Sequence, residues 1–312
     1  MRSWYALSLA VVFAWAATSA QVPEKQESSL IGPMVTFDPA HQKPITYQDQ
    51  AVEATLIVGR ERHSLKIVHR AMGSEKRVPL PEEMAQVDEI RAVVGGRLVV
   101  RGMVNGSGSE VAVFEVTSGR LQDKFLCYMP AISPGGRYIA FGKFYPLHFS
   151  EGTEDHYMLY DLAKEPARNR PVGVPKDDMR DVGVTVYPVG IGNKPGDNLR
   201  RPEGTGHESR SFFFWNPNGT EFVFADQAQG NDWIDLVLVD IGSDGKVTVR
   251  TAQQPMAPLC SILKDPKMAK SCSLLIRKVD FRTDPEWSLS VVFEIVDVRA
   301  FKTIQYTGAQ FH

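Results

Sequence analysis

Nine consecutive residues concentrate side chains that could do chemistry: His148-Phe149-Ser150-Glu151-Gly152-Thr153-Glu154-Asp155-His156. Imidazoles and carboxylates so close together are the groups that ligate a divalent cation or pass protons as general acid and base. A second pair, His207-Glu208, stands further along the chain. The separation of His148 from His156 matches no short metal motif, so spacing alone does not make a site. His148, His156 and His207 are therefore candidate metal ligands if the fold brings the two segments together. Glu151, Glu154, Asp155 and Glu208 complete a candidate ligand-binding face. The plain alternative is a solvated, charged loop.

Other reactive arrangements are missing. Gly106-Ser107-Gly108 lacks the spacing of a nucleophile elbow and is followed by no helical pattern. No phosphate-cradling loop, dinucleotide fingerprint or Cys-x-x-Cys occurs. Of the 3 cysteines, Cys127 lies in the apolar run Phe125-Leu126-Cys127-Tyr128 and reads as a buried small hydrophobe with nothing beside it to make a thiolate. Cys260 and Cys272 are expected on neighbouring strands, joined as a disulfide worth about 3 kcal/mol on the chain-entropy model.

The elements that must position these residues are short strands. Ser133-Pro134-Gly135-Gly136 is a turn into Arg137-Tyr138-Ile139-Ala140-Phe141-Gly142, followed after the histidine-bearing loop by Tyr157-Met158-Leu159-Tyr160-Asp161-Leu162. Asn216-Pro217-Asn218-Gly219 leads likewise into Thr220-Glu221-Phe222-Val223-Phe224-Ala225 and then Ile234 to Ile241. Gly95-Gly96 opens an earlier copy, before Arg97 to Arg101 and Glu110 to Val116. Strands are further expected at Met34–Phe37, Ala54–Val58, Ser64–Val68, near Lys76–Val78, and in three runs from Leu274 to Tyr306. A hydrophobe-acid-aliphatic mark recurs as Phe114-Glu115-Val116, Tyr160-Asp161-Leu162, Val239-Asp240-Ile241 and Phe293-Glu294-Ile295. Carboxylates at equivalent repeat positions cannot converge on one atom, so they are expected to bond their own turns. The aromatic run Phe212-Phe213-Phe214-Trp215 is expected to pack to both sides of one strand as core.

A repeat of about 40–45 residues holding four strands has the period of a propeller blade. The Ser/Asn-Pro-Gly/Asn-Gly turn, the Ile-Ala-Phe strand and the strand ending in Asp resemble the TolB-type β-propeller repeat, a relative of WD-repeat blades. Gly135 and Asn218 stand where that family's turn has aspartate. The resemblance implies an all-β fold, a propeller of five four-stranded blades with room for a sixth, over residues 34–312 with an insertion at about 175–209. A β-sandwich pair is the competing architecture, but it does not require a repeated unit. In a propeller the loop at 148–156 and the insertion emerge at the same mouth of the ring.

Arg2, the apolar run Trp4 to Ala17 and the small residues Thr18-Ser19-Ala20 read as a secretory signal peptide over 1–20, followed by a flexible segment at 21–33. The apolar run is short for a membrane span, so the mature chain is expected to have none. With 35 Lys+Arg against 37 Asp+Glu, nothing indicates a nucleic-acid partner. The favoured reading is an exported, periplasmic or extracellular, non-catalytic propeller that needs no cofactor and binds a protein, peptide or glycan of the cell envelope. The alternative is a metal-assisted carbohydrate-active enzyme, a lyase or hydrolase, using His148, Glu151, Glu154, His156 and His207. A structural role in a larger envelope assembly is the third.

Overall fold

Val52, Ala54 and Leu56 are buried and alternate with half-buried Glu53, Thr55 and Ile57, the period-two pattern of a strand with one face inward. Further along, Phe222, Val223, Phe224 and Ala225 are all buried, as in a strand covered on both faces. These two patterns organise the chain. A computed structural model of the protein describes residues 42–59, 62–104, 108–143, 156–171, 174, 179, 182–187, 207–209, 212–228, 232–263, 272–283 and 286–312. Residues 1–33, the expected strand at Met34–Phe37, the residues His148, Glu151, Glu154 and Asp155, and most of the insertion at 175–209 lie outside them.

The regular structure of the described residues is nearly all antiparallel strand. The first sheet runs in chain order through β1 (Thr46–Gln48), β2 (Val52–Ile57), β3 (Ser64–His69) and β4 (Ser74–Pro79). The second has seven strands, also in chain order: β5 (Gln86–Val93), β6 (Arg97–Met103), β7 (Ser109–Glu115), β8 (Leu121–Ile132), β9 (Tyr138–Lys143), β10 (Tyr157–Asp161) and β11 (Val184–Tyr187). The third joins β12 (His207–Ser209), β13 (Phe214–Trp215), β14 (Glu221–Ala228), β15 (Trp233–Ile241) and β16 (Val247–Pro255). A one-turn helix, α1 (Met256–Cys260), precedes the last sheet of β17 (Leu274–Arg282), β18 (Ser288–Ile295) and β19 (Ala300–Thr307).

The seven-stranded sheet is two repeat units joined along β8. Its first part pairs with β7 and its last residues pair with β9, with a break in register between Tyr128 and Ala131. At that break Met129 adopts φ 47°, ahead of a proline that has no N–H to offer the ladder. Arg101 Nη1 donates to the Pro130 carbonyl at 2.8 Å, and Trp215 Nε1 donates to the Ala131 carbonyl at 3.0 Å.

Opposite faces of successive sheets feed successive cores. Val52, Leu56 and Leu65 meet Leu98, Val100 and Phe114 in the first core. Val99, Val111 and Phe125, on the other face of the same strands, meet Ile139, Phe141 and Tyr160. Tyr138 and Tyr157 then meet Phe213, Phe222 and Val237, and Val223 and Leu236 meet Ile276, Val291 and Phe293. Phe213 and Trp215 serve one core and Phe214 the next, as the aromatic run implied. Among the described residues no buried core joins the first sheet to the last.

The repeated turns are built alike. Ser133 Oγ accepts from the Arg137 and Tyr138 amides at 3.2 and 3.0 Å, and Asn216 Oδ1 accepts from the Thr220 and Glu221 amides at 3.0 and 3.2 Å. Gly136 and Gly219 close the two turns at φ 66° and 70°. The turns also stack: a Cβ on Gly219 would come within 3.3 Å of the Gly135 amide nitrogen, and one on Gly136 within 3.1 Å of Val93 Cα. Two of the repeat carboxylates bond their own turns as expected: Asp161 accepts from the Ala163 amide at 2.9 Å, and Glu115 from Ser118 Oγ at 2.5 Å. Glu294 instead pairs with Arg277 across the strands.

The disulfide Cys260–Cys272 is present, with 6.0 Å between Cα atoms. Its setting differs from the expectation: Cys260 ends α1 and Cys272 precedes β17, so the bridge clips the connection between two sheets rather than two strands. The reason is that Met256 to Cys260 take up a helical turn, which puts Met256, Leu259 and Cys260 inward as the pattern of a single strand could not. Gly219→Ala is expected to destabilise the fold by about 1–2 kcal/mol through its left-handed backbone and the stacked turn, read from urea midpoints. Replacing both Cys260 and Cys272 by serine should cost about 3 kcal/mol, checked by comparing thermal unfolding with the oxidised parent.

Candidate functional site

In each unit the repeat turns lie at one end, and the loops between second and third strands lie at the other. The second end is where polar groups accumulate against the apolar cores. Arg101 and Glu110 come from β6 and β7, Lys143 from the end of β9, His156 from the stem of β10, and Asp226 from β14, and all are buried. Three breaks in register fall at this end: between Val87 and Glu89, between Tyr128 and Ala131, and between Tyr157 and Met158. Such bulges bend a strand and re-aim its side chains, and they gather at functional rims.

The expected site residues are distributed as follows. His148, Glu151, Glu154 and Asp155 lie outside the described residues. His156 is inside them and buried, and its carbonyl accepts from the Lys143 amide at 2.8 Å. His207 and Glu208 stand on β12, opposite Ala228 and Gln227 of β14. Next to His156, Tyr157 donates its hydroxyl to Asp226 Oδ1 at 2.8 Å. Asp226 in turn lies opposite Ser209, two residues beyond His207 on β12. The hydrogen bond thus links the start of β10, next to His156, to β14, whose other neighbour is the β12 strand that carries His207.

Around that pair the setting is carboxylate- and phenol-rich. Asp235 lies opposite Asp226 across β14 and β15. Burial pushes the Tyr187 hydroxyl up from its ordinary range, and the charges of Asp226 and Asp235 push it further, so the phenol stays a hydrogen-bond donor. On the neighbouring unit Asp88 stands exposed at the break in β5, beside half-buried Glu89. Arg101 lies 3.6 Å from Glu89. Cys127, opposite Ser109 and Lys143, is driven well up by burial and donates to the Ser109 carbonyl at 3.7 Å. It is a neutral, inert thiol, as its sequence setting suggested.

Such an arrangement can donate and accept hydrogen bonds in several directions from rigid strand ends, which suits a polar ligand with hydroxyl or amine groups. Among the described residues no three His, Cys, Asp or Glu side chains gather as a metal cage. The residues that sequence reading missed are Arg101, Glu110, Lys143, Tyr157, Tyr187 and Asp226. The signal was available: each charged residue among them interrupts or borders an apolar strand beside a loop between second and third strands.

No protein-family model matches the sequence, and no curated protein matches it. Solved structures similar to the chain include one from a study of two prolyl endopeptidases, at 13% identity and a TM-score of 0.42, covering 85% of this chain and 34% of that one. A puromycin hydrolase is similar at 13% identity and a TM-score of 0.40, covering 88% of this chain and 40% of that one. An oligogalacturonate lyase in complex with manganese is similar at 13% identity and a TM-score of 0.36, covering 80% and 61%. The chain spans less than two thirds of the length of each.

The Tyr157–Asp226 bond makes a direct prediction. Tyr157→Phe should destabilise the fold by about 1.5–3 kcal/mol, because it removes a hydroxyl donor from a fully buried carboxylate. A urea titration showing less than about 0.5 kcal/mol of change would mean that the bond does not tie the two units.

Proposed function

We propose that the chain is an exported β-propeller of five blades, resembling the TolB type, that binds a protein, peptide or glycan of the cell envelope through the loops at its polar end. The observation that carries this reading is the Tyr157–Asp226 tie, which fixes the start of β10, where the histidine-bearing loop ends, to β14 of the next unit. Loops set on such a rigid scaffold are where binding residues concentrate. The buried, neutral Cys127 leaves no activated nucleophile among the described cysteines. A disulfide fits an exported chain, and among the described residues no helix is long and apolar enough to cross a membrane. Fold alone does not assign chemistry, so the reading rests on this end of the molecule.

A second reading starts from the residue types of the same loop. In it, a divalent ion held by His148, His156 and His207 would polarise a substrate for a carbohydrate-active reaction with Glu151 or Glu154 as base. Metal content separates the two. We expect the purified chain and its His148→Ala/His156→Ala variant to carry no stoichiometric divalent ion by elemental mass spectrometry, and an arrayed set of envelope peptides and glycans to include a ligand that the double variant binds at least tenfold more weakly. One divalent ion per chain in the parent, absent from the variant, would replace the binding reading by the enzyme.

A further inference from the structure

Glu110 is fully buried, and neither of its carboxyl oxygens accepts a hydrogen bond. It sits second in β7, opposite Gly102 of β6 and Leu126 of β8, at the seam between the first two units. Gly102 is there because the chain before β5 presses on this face: a Cβ would meet the Gln86 carbonyl oxygen at 2.2 Å and Met84 Cγ at 2.6 Å. The charged neighbours already have other partners. Lys124 of β8 reaches Glu83 of the turn before β5 at 3.2 Å, and Arg101 of β6 is engaged with Glu89 and the Pro130 carbonyl. Asp88 of β5 is exposed to solvent, and Cys127 of β8 stays a thiol. Facing from the first unit, His63 bonds the Gly59 amide and the Ala85 carbonyl.

A charged carboxylate without a donor in such a place is strongly disfavoured, whereas a neutral carboxyl is tolerated. We propose that Glu110 is a proton-held latch: its protonated carboxyl keeps the seam between the first two units closed, and loss of the proton loosens that seam at the polar end. Burial first, then the charge of Glu83, lifts this group to about 7 against the opposing pull of Lys124. The sign follows from linkage. Between the ordinary value of 4.5 and about 7 the folded chain holds a proton that the unfolded chain has released. Stability therefore falls as pH rises through that window, and stays at its lower level above it. The device is independent of what the loops bind.

The test uses the full mature chain and Glu110→Gln. Thermal unfolding from pH 4.5 to 8.5 should show the parent's unfolding constant rising by up to about tenfold per pH unit toward pH 7, a slope that Glu110→Gln lacks. Hydrogen exchange at residues 84–88 and 109–113 should speed up in the parent alone over the same range. Infrared spectra should show a buried protonated carboxyl that titrates near pH 7 in the parent and is missing from Glu110→Gln. If Glu110→Gln does not fold, Glu83→Gln should move that titration to lower pH. Parallel stability curves for parent and variant, or no buried protonated carboxyl at pH 5–6, would overturn the latch.

Discussion

The structure depends on strands that bury both faces at once. Val99 and Val100 of β6 enter different cores, and so do Phe222 and Val223 of β14. Because side chains alternate across a pleated sheet, each interior strand glues its own unit to the one before and the one after. A one-residue slip in any of these strands would exchange the two cores, so register is strongly fixed along the whole stack. The stacked turns at Gly136 and Gly219 are a consequence, since the same spacing between sheets brings the same turns into contact.

That packing also explains where polar groups can sit. A strand covered on both faces has no wet side, so charges are confined to strand ends or must be matched inside. Asp123 and Arg170 show the matched solution, a two-bond ion pair at 2.6 and 2.8 Å with Tyr160 donating to the same carboxylate at 2.8 Å. Burial raises the Tyr160 hydroxyl, which keeps it the donor in that trio. Asp226 shows the strand-end solution, with Tyr157 reaching across from the neighbouring unit. Glu110 has neither solution among the described residues, which is why protonation is the remaining way to hold it in a dry seam.

The two ends of the units therefore differ in kind. Repeat turns at one end satisfy their own amides with Ser133 or Asn216 and need nothing from outside. At the other end the register breaks at Asp88, Met129 and Tyr157 turn side chains out of the ladder, and long loops depart from it. The second end differs for a physical reason: its polar groups are held by rigid strands yet not used up by the ladder itself.

Local chemistry was legible from the residues alone. Pro-Gly-Gly and Pro-Asn-Gly allow only a few turns, alternation and apolar runs give strand and burial, and the recurrence of both gives a repeated antiparallel unit. The turn roles of Asp161 and Glu115, the inertness of Cys127 and the two-sided packing of Phe213 and Phe214 followed from the same short-range rules. Other features needed contacts between distant segments. The fusion of two units along β8 rests on a backbone bend at Met129 held by Arg101 and Trp215, residues far from it in the chain. The tie between β10 and β14 rests on Tyr157 and Asp226, 69 positions apart. A buried strand-end carboxylate looks the same in the sequence whether a distant hydroxyl reaches it, as at Asp226, or nothing does, as at Glu110, because the partner is chosen by how sheets stack and not by neighbours along the chain.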